Sequence, residues 1–150
     1  MVNNAQAEEL DQTECLALLA TVSVGRVGIS SRALPAIFPV NFILSGNNIL
    51  FRTVPGTKLH AAHTGAVVAF EADQLGSVTT ESWSVLVRGI AEEVTDPAQR
   101  AQLERLVPDS WPFEGGADYL VRIPAIIITG RRIRPSPNKG HPGQTQAEGN

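Results

Sequence analysis

The 150 residues include one cysteine, two lysines and eight aromatics: five Phe, two Trp and one Tyr. A lone Cys15 cannot form an intramolecular disulfide and fits a reducing compartment. No apolar run approaches the roughly 18 residues of a membrane span, and Met1 to Glu9 carries no basic stretch leading into an apolar one. A cytoplasmic protein with no membrane partner is therefore expected. Positive charge is not in excess either: 12 Lys and Arg stand against 15 Asp and Glu, a formal net charge of -3. That argues against a nucleic-acid binder, which works by neutralising phosphates. Lys139 falls in a Pro/Gly-rich tail, so Lys58 is the single lysine of the expected folded part.

What is present suffices for one soluble domain, since a chain of this length can build a core without disulfides or a structural metal. Residues 1–9 are polar and are expected to fray. Asp11 as N-cap with Glu14 three residues on forms a capping box, Leu10 can staple onto Cys15, and the helix should end near Ala20. Extended runs follow at Val22 to Ile29, Ala33 to Leu44, Ile49 to Thr53, Ala66 to Ala72, Trp83 to Glu93 and Tyr119 to Ile133. Pro35 and Pro39 mark the second run as an edge strand or one broken by bulges. Ser45-Gly46-Asn47-Asn48 is a hairpin turn. Short helices are expected at Thr57 to His63 and at Pro97 to Leu106, the latter capped by Asp96. Residues 135–150 hold three prolines, three glycines and one apolar side chain, Ala147, a composition that stays disordered. The domain is thus placed at residues 10–134. Six strands with hairpin neighbours and few crossover helices predict a mainly β fold, a six-stranded antiparallel barrel with short peripheral helices.

The segment Phe51-Arg52-Thr53-Val54-Pro55-Gly56-Thr57-Lys58 ends a strand, turns, and opens a helix. Helix N-termini attract phosphate, and Arg52, Thr53, Thr57 and Lys58 would add side-chain donors at the same corner. The same residues also read as an exposed turn with solvated Arg and Lys. The order Gly-Thr-Lys is not that of a Walker A loop. His60 and His63, at i and i+3, lack a third metal ligand, so no metal is expected. Glu71 and Asp73 alternate onto one strand face without suggesting hydrolysis, and no Gly-x-Ser-x-Gly elbow occurs. Alternation sets Trp83 with Val85 and Val87, consistent with either a core position or a ligand contact, and Ser84, Leu86, Arg88 and Ile90 on the other face.

The succession Phe38-Pro39-Val40-Asn41-Phe42, Ile49-Leu50-Phe51-Arg52-Thr53, Pro55-Gly56-Thr57-Lys58, Val67-Val68-Ala69-Phe70-Glu71 and Trp83-Ser84-Val85-Leu86-Val87-Arg88-Gly89 resembles the pyridoxamine 5'-phosphate oxidase-like split β-barrel flavoproteins. It is similar in particular to their actinobacterial flavin or deazaflavin oxidoreductase branch. The resemblance spans Asp11 to Arg134. It implies a split β-barrel homodimer binding FMN, or alternatively the deazaflavin F420, between subunits, and passing hydride to or from a small-molecule substrate. Arg52, Thr53, Thr57 and Lys58 would hold the phosphate. Val40 and Asn41 would offer backbone groups to the ring, Trp83 and Ser84 would come from the partner subunit, and Arg131 would line the cleft. F420 would call on further basic residues such as Arg26, Arg32 or Arg131. No side chain is implied as general acid or base. The chain departs from pyridoxamine phosphate oxidases in lacking a Trp after Arg134, which argues against vitamin B6 oxidation. It departs from nitroimidazole reductases in carrying Arg52 where those often have His. A non-catalytic flavin or tetrapyrrole carrier and a ligand-free dimeric scaffold are the alternatives from other classes.

Overall fold

The Glu14 amide donates to the Asp11 carboxylate at 2.8 Å while the Asp11 amide donates to the Glu14 carboxylate at 2.9 Å, closing the box that starts helix α1 (Gln12–Leu19). The computed structural model describes residues 6–77, 80–109 and 118–135. Its strands are β1 (Gln6–Leu10), β2 (Val24–Ser31), β3 (Leu34–Ser45), β4 (Asn48–Thr53), β5 (Val67–Gln74), β6 (Ser82–Ile90), β7 (Glu92–Glu93), β8 (Tyr119–Pro124) and β9 (Ile127–Arg134). Two further helices are α2 (Thr57–His63) and α3 (Pro97–Leu103). All pairings are antiparallel, in the spatial order β1-β9-β6-β5-β2-β3-β4-β8-β7.

The strands curl around one main core that includes Val27, Phe42, Phe51, Phe70, Trp83, Val85 and Val121. Phe42 and Phe70 meet edge to face with centroids 4.7 Å apart, the arrangement the ring quadrupoles favour. The curl closes where Gly89 of β6 lies against Pro124 of β8, so near that an added Cβ would stand 2.1 Å from the Pro124 carbonyl. A second, smaller cluster of Leu50, Val94, Val107 and Leu120 sits under α3 on the other face of β4.

Among the described residues nine strands stand where six were expected. Residues 6–9, expected to fray, pair with β9 together with Leu10, from Gln6↔Arg134 to Leu10↔Gly130. Backbone hydrogen bonding to an open strand edge outweighs the polar composition there. The run Trp83 to Glu93 divides at Ala91, whose amide turns aside to the Ala66 carbonyl at 3.0 Å. Tyr119 to Ile133 divides after Pro124, where the Ala125 amide bonds the Asn47 carbonyl at 2.8 Å and the chain changes partners from β4 to β6. Helix α3 stops three residues early, at Leu103. Residues 1–5 and the tail from Ser136 lie outside the described residues.

The expectation for β3 is met with a physical reason. The Phe42 amide donates to the Ser23 carbonyl at 3.0 Å, so by alternation Ala36, Phe38 and Val40 turn their peptide groups toward β2. Pro35 and Pro39 fall on the other set, facing away from β2, where no β2 hydrogen bond is lost. The β3–β4 register runs only from Phe42↔Phe51 to Ser45↔Asn48. Residues 34–41 therefore have β2 on one side and an open edge on the other.

Candidate functional site

That open edge is the centre of the candidate site. Asn41 lies where β3 and β4 part: alternation turns its peptide toward β4, and its N–H points past the last paired residues. Continued one step, the register would set Asn41 opposite Arg52 and Val40 opposite Thr53. Thr53 is buried at the end of β4, its hydroxyl donating to the Val54 carbonyl at 3.2 Å. After the turn at Pro55 and Gly56, α2 begins with no side-chain cap. Its second residue, Lys58, is 8% exposed, and its ammonium lies 4.8 Å from the centre of the Phe38 ring on β3, within cation–π range. Thr57 is half-buried and lines a cleft between α2 and the β2–β3 hairpin. Asn41, Thr53, Thr57 and Lys58 thus occupy one corner.

Three of the expected site residues have other surroundings. Arg52 belongs to the opposite face of β4 from Thr53. Its guanidinium pairs with the Asp118 carboxylate, donates to the Val107 carbonyl at 3.2 Å, and reaches the Glu104 carbonyl. This is a structural tie beneath α3, because strand alternation sends neighbouring side chains to opposite faces. Val40 is buried, and its peptide groups face Gly25 of β2, so of the pair only Asn41 turns backbone to the open edge. Trp83 is 4% exposed and packs within the main core, the first of its two readings.

Ser84 and Arg131 are brought together, but elsewhere. They are paired across β6 and β9, both exposed, and line a second cavity of about 510 Å³ with Glu9, Leu86 and Thr129. This is the outer sheet face, where alternation also sets Arg88 and a series of exposed apolar side chains: Ile37 at 74%, Val67 at 71%, and Ile90, Ile127 and Leu86. Glu71 and Asp73 share that face and hold Arg26 between them, its Nη1 at 3.4 and 3.3 Å. Desolvation, with the adjacent Asp73 carboxylate adding, pushes Glu71 up to about 7 despite Arg26. The i, i+2 spacing of the two carboxylates was visible in sequence; Arg26, 45 residues away, was not. Cys15 is free and buried, its thiol pushed up by burial. His63 pairs with Glu93 at 3.1 Å. Among the described residues no group of three metal-ligating side chains occurs, and no helix is long and apolar enough to cross a membrane. Residues 110–117 lie outside the described residues, as do Val78 and Thr79.

The family model for pyridoxamine 5'-phosphate oxidase matches residues 11–132. The chain belongs to this family. An uncharacterized protein of Mycobacterium tuberculosis is 42% identical over 130 residues, covering 83% of this chain and 84% of its own length. A solved structure described as the FAD binding protein from Mycobacterium smegmatis is 38% identical, covers 84% of this chain and 97% of the other, and superposes with a TM-score of 0.68. A Corynebacterium glutamicum structure, described as a candidate pyridoxamine 5'-phosphate oxidase, is 35% identical with a TM-score of 0.74, covering 85% and 98%. The family fold is the split β-barrel, and the parting of β3 from β4 at Asn41 is a split in the wall of this barrel.

Proposed function

We propose that the protein binds a flavin through the mononucleotide unit that FMN and FAD share, at the corner formed by Asn41, Thr53, Thr57 and Lys58, and acts as a flavin-dependent oxidoreductase. The observation that carries this reading is the open β3 edge at Asn41 beside a nearly buried lysine. The residues fit the group. A flavin ring offers hydrogen-bonding atoms at its edge, and a strand edge with unpartnered register supplies complementary backbone groups. A ribityl phosphate is a dianion, and the Lys58 ammonium with the Thr57 hydroxyl supplies charge and a donor, while Thr53 is buried with its hydroxyl held by the Val54 carbonyl. The relative from M. smegmatis, described as FAD binding, supports the same class of cofactor.

The bound flavin would supply the hydride chemistry. The chain's own contribution is binding and orientation: Lys58 neutralises the phosphate end, and the Asn41 peptide fixes the ring edge. No described side chain at this corner is positioned as a general acid or base, so proton transfer is left to solvent or substrate. The outer sheet face, with Ile37, Val67, Leu86, Ile90 and Ile127 exposed together, supports a homodimer, since contiguous apolar patches of this kind mark association surfaces. In such a dimer Ser84 and Arg131 of the partner would approach the ring. A small-molecule substrate would enter between the subunits.

Titration with FMN, FAD and F420, followed by fluorescence and visible absorbance, tests the cofactor. Lys58→Met, which keeps the volume and removes the charge, should weaken flavin binding by roughly 10- to 100-fold, the worth of about 1.5–3 kcal/mol for a hydrogen bond to a charged group. Unchanged affinity would refute the corner. F420 binding in preference to both flavins would move the assignment to the deazaflavin. Flavin binding without reduction by a nicotinamide cofactor or reduced F420 would favour a carrier. Sedimentation velocity reads the homodimer directly.

A further inference from the structure

The cleft that Thr57 borders is larger than the corner needs. It measures about 650 Å³ and runs between α2 and the β2–β3 hairpin, with Gly56, Thr57, His60 and Thr64 on one wall and Ser30 to Arg32 and Leu34 to Ala36 on the other. It shares Thr57 with the proposed phosphate corner but includes none of Asn41, Thr53 and Lys58. Along β3 its walls end at Ala36, five residues from Asn41, or about 17 Å of strand. The cleft therefore begins at the phosphate end and leads away from the ring end. Its volume falls within the roughly 300–1,000 Å³ of small-molecule pockets, so it is room for a second ligand moiety of substantial size.

The lining indicates the chemistry of that moiety. Arg32 is the only permanently charged side chain in the walls, is exposed, and forms no ion pair with a described residue. It stands at the tip of a two-residue turn in which both Arg32 and Ala33 have positive φ, 51° and 61°, a conformation that glycine or asparagine adopts at lower cost. The turn thus holds a cation at the cleft rim on a strained backbone. His60 presents an exposed ring from α2, and Ile29, Pro35, Ala36 and Ala61 give apolar wall. One cation, one flat ring and apolar wall suit one additional phosphate followed by a purine nucleoside. A polyanionic tail such as that of F420 would call for several cations, and this cleft has one.

We propose that the cleft between α2 and the β2–β3 hairpin receives the adenylate half of a dinucleotide, with Arg32 and His60 selecting FAD over FMN. This rests on the flavin reading above and deepens it. The two residues are specificity determinants and do not touch the reacting ring.

Dissociation constants of the full chain for FMN, FAD and F420, measured by fluorescence titration, test it. FAD should bind at least tenfold more tightly than FMN. Arg32→Glu and His60→Ala, both at exposed positions that leave the fold intact, should bring FAD affinity down to that of FMN while moving FMN affinity less than twofold. Free adenosine 5'-monophosphate should compete with FAD and leave bound FMN in place. Equal affinity for FMN and FAD in the unmodified protein, equal losses for both in Arg32→Glu, or tighter binding of F420 would overturn the proposal while the cofactor corner stood. Binding of no flavin at all would overturn the corner and this cleft together.

Discussion

Arg52 and Asp118 form an ion pair across β4 and the entry to β8, and the same guanidinium bonds the carbonyls of Glu104 and Val107. The Arg52 side chain is only 18% exposed. One planar cation with several donors therefore gathers the end of β4, the segment after α3 and the start of β8, a task suited to the guanidinium fork.

Replacing Arg52 with Ala leaves a partly buried carboxylate and two carbonyls without their donor. The expected cost is about 2–3 kcal/mol, since hydrogen bonds to charged groups contribute about 1.5–3. Urea denaturation should show a lower midpoint with the same slope. Arg52→Lys should recover only part of the loss, because a point charge cannot serve three acceptors in different directions. Flavin affinity should fall less in Arg52→Ala than in Lys58→Met; the reverse order would return Arg52 to the phosphate site.

Gly89 is fixed by its approach to β8. A Cβ there would stand 2.1 Å from the Pro124 carbonyl oxygen and 3.2 Å from Ile123 Cγ2, and a backbone atom cannot swing aside as a side chain can. Gly89→Ala should therefore destabilise by about 1–3 kcal/mol or more, the range of overpacking. Gly28→Ala is the control: its Cβ would meet Ala69 Cβ at 3.6 Å, an ordinary contact. Thermal denaturation of the pair should show a large loss for the first and little change for the second.

The local chemistry of the sequence carried much of the fold. The Asp11 and Glu14 box, the Ser45 to Asn48 turn, the Asp96 cap and the two prolines of β3 each act within a few residues, so their signals are complete in the sequence. Those same prolines pointed to the open edge where the site lies. Strand β1 was missed because its partner is β9, more than 100 residues away, and nothing in Gln6 to Glu9 records that partner. Arg52 was legible as a cation at the end of a strand but not as the partner of Asp118, since both the face it takes and the carbonyls it meets depend on where α3 packs. The cleft beside α2 was illegible for the same reason: it lies between two elements whose distance the sequence does not state.

Trp83 and Ser84 test the alternation directly. Trp83→Ala removes a side chain from the main core and should cost about 3–5 kcal/mol. Ser84→Ala, on the exposed face of the same strand, should change stability by no more than about 0.5 kcal/mol. Near-equal denaturation midpoints for the two variants would contradict the facing of β6.

Glu71 makes stability depend on pH in a definite direction. Its carboxyl rises from 4.5 to about 7 in the folded protein, chiefly by desolvation and then through Asp73, with Arg26 opposing. The folded state thus holds this proton more tightly than the unfolded state. The associated stability is fully present below about 4.5 and is lost as pH rises through about 7. Glu71→Gln imitates the protonated form and removes the dependence. Compared at pH 5 and pH 8 by urea denaturation, the unmodified protein should lose stability relative to Glu71→Gln at the higher pH. Asp73→Asn should shrink that loss, because it removes the neighbouring charge while leaving Arg26 to pair with Glu71. A gap between the unmodified protein and Glu71→Gln that stays constant from pH 5 to pH 8 would show that the carboxyl titrates in its ordinary range, and that Arg26 outweighs desolvation on this face of the sheet.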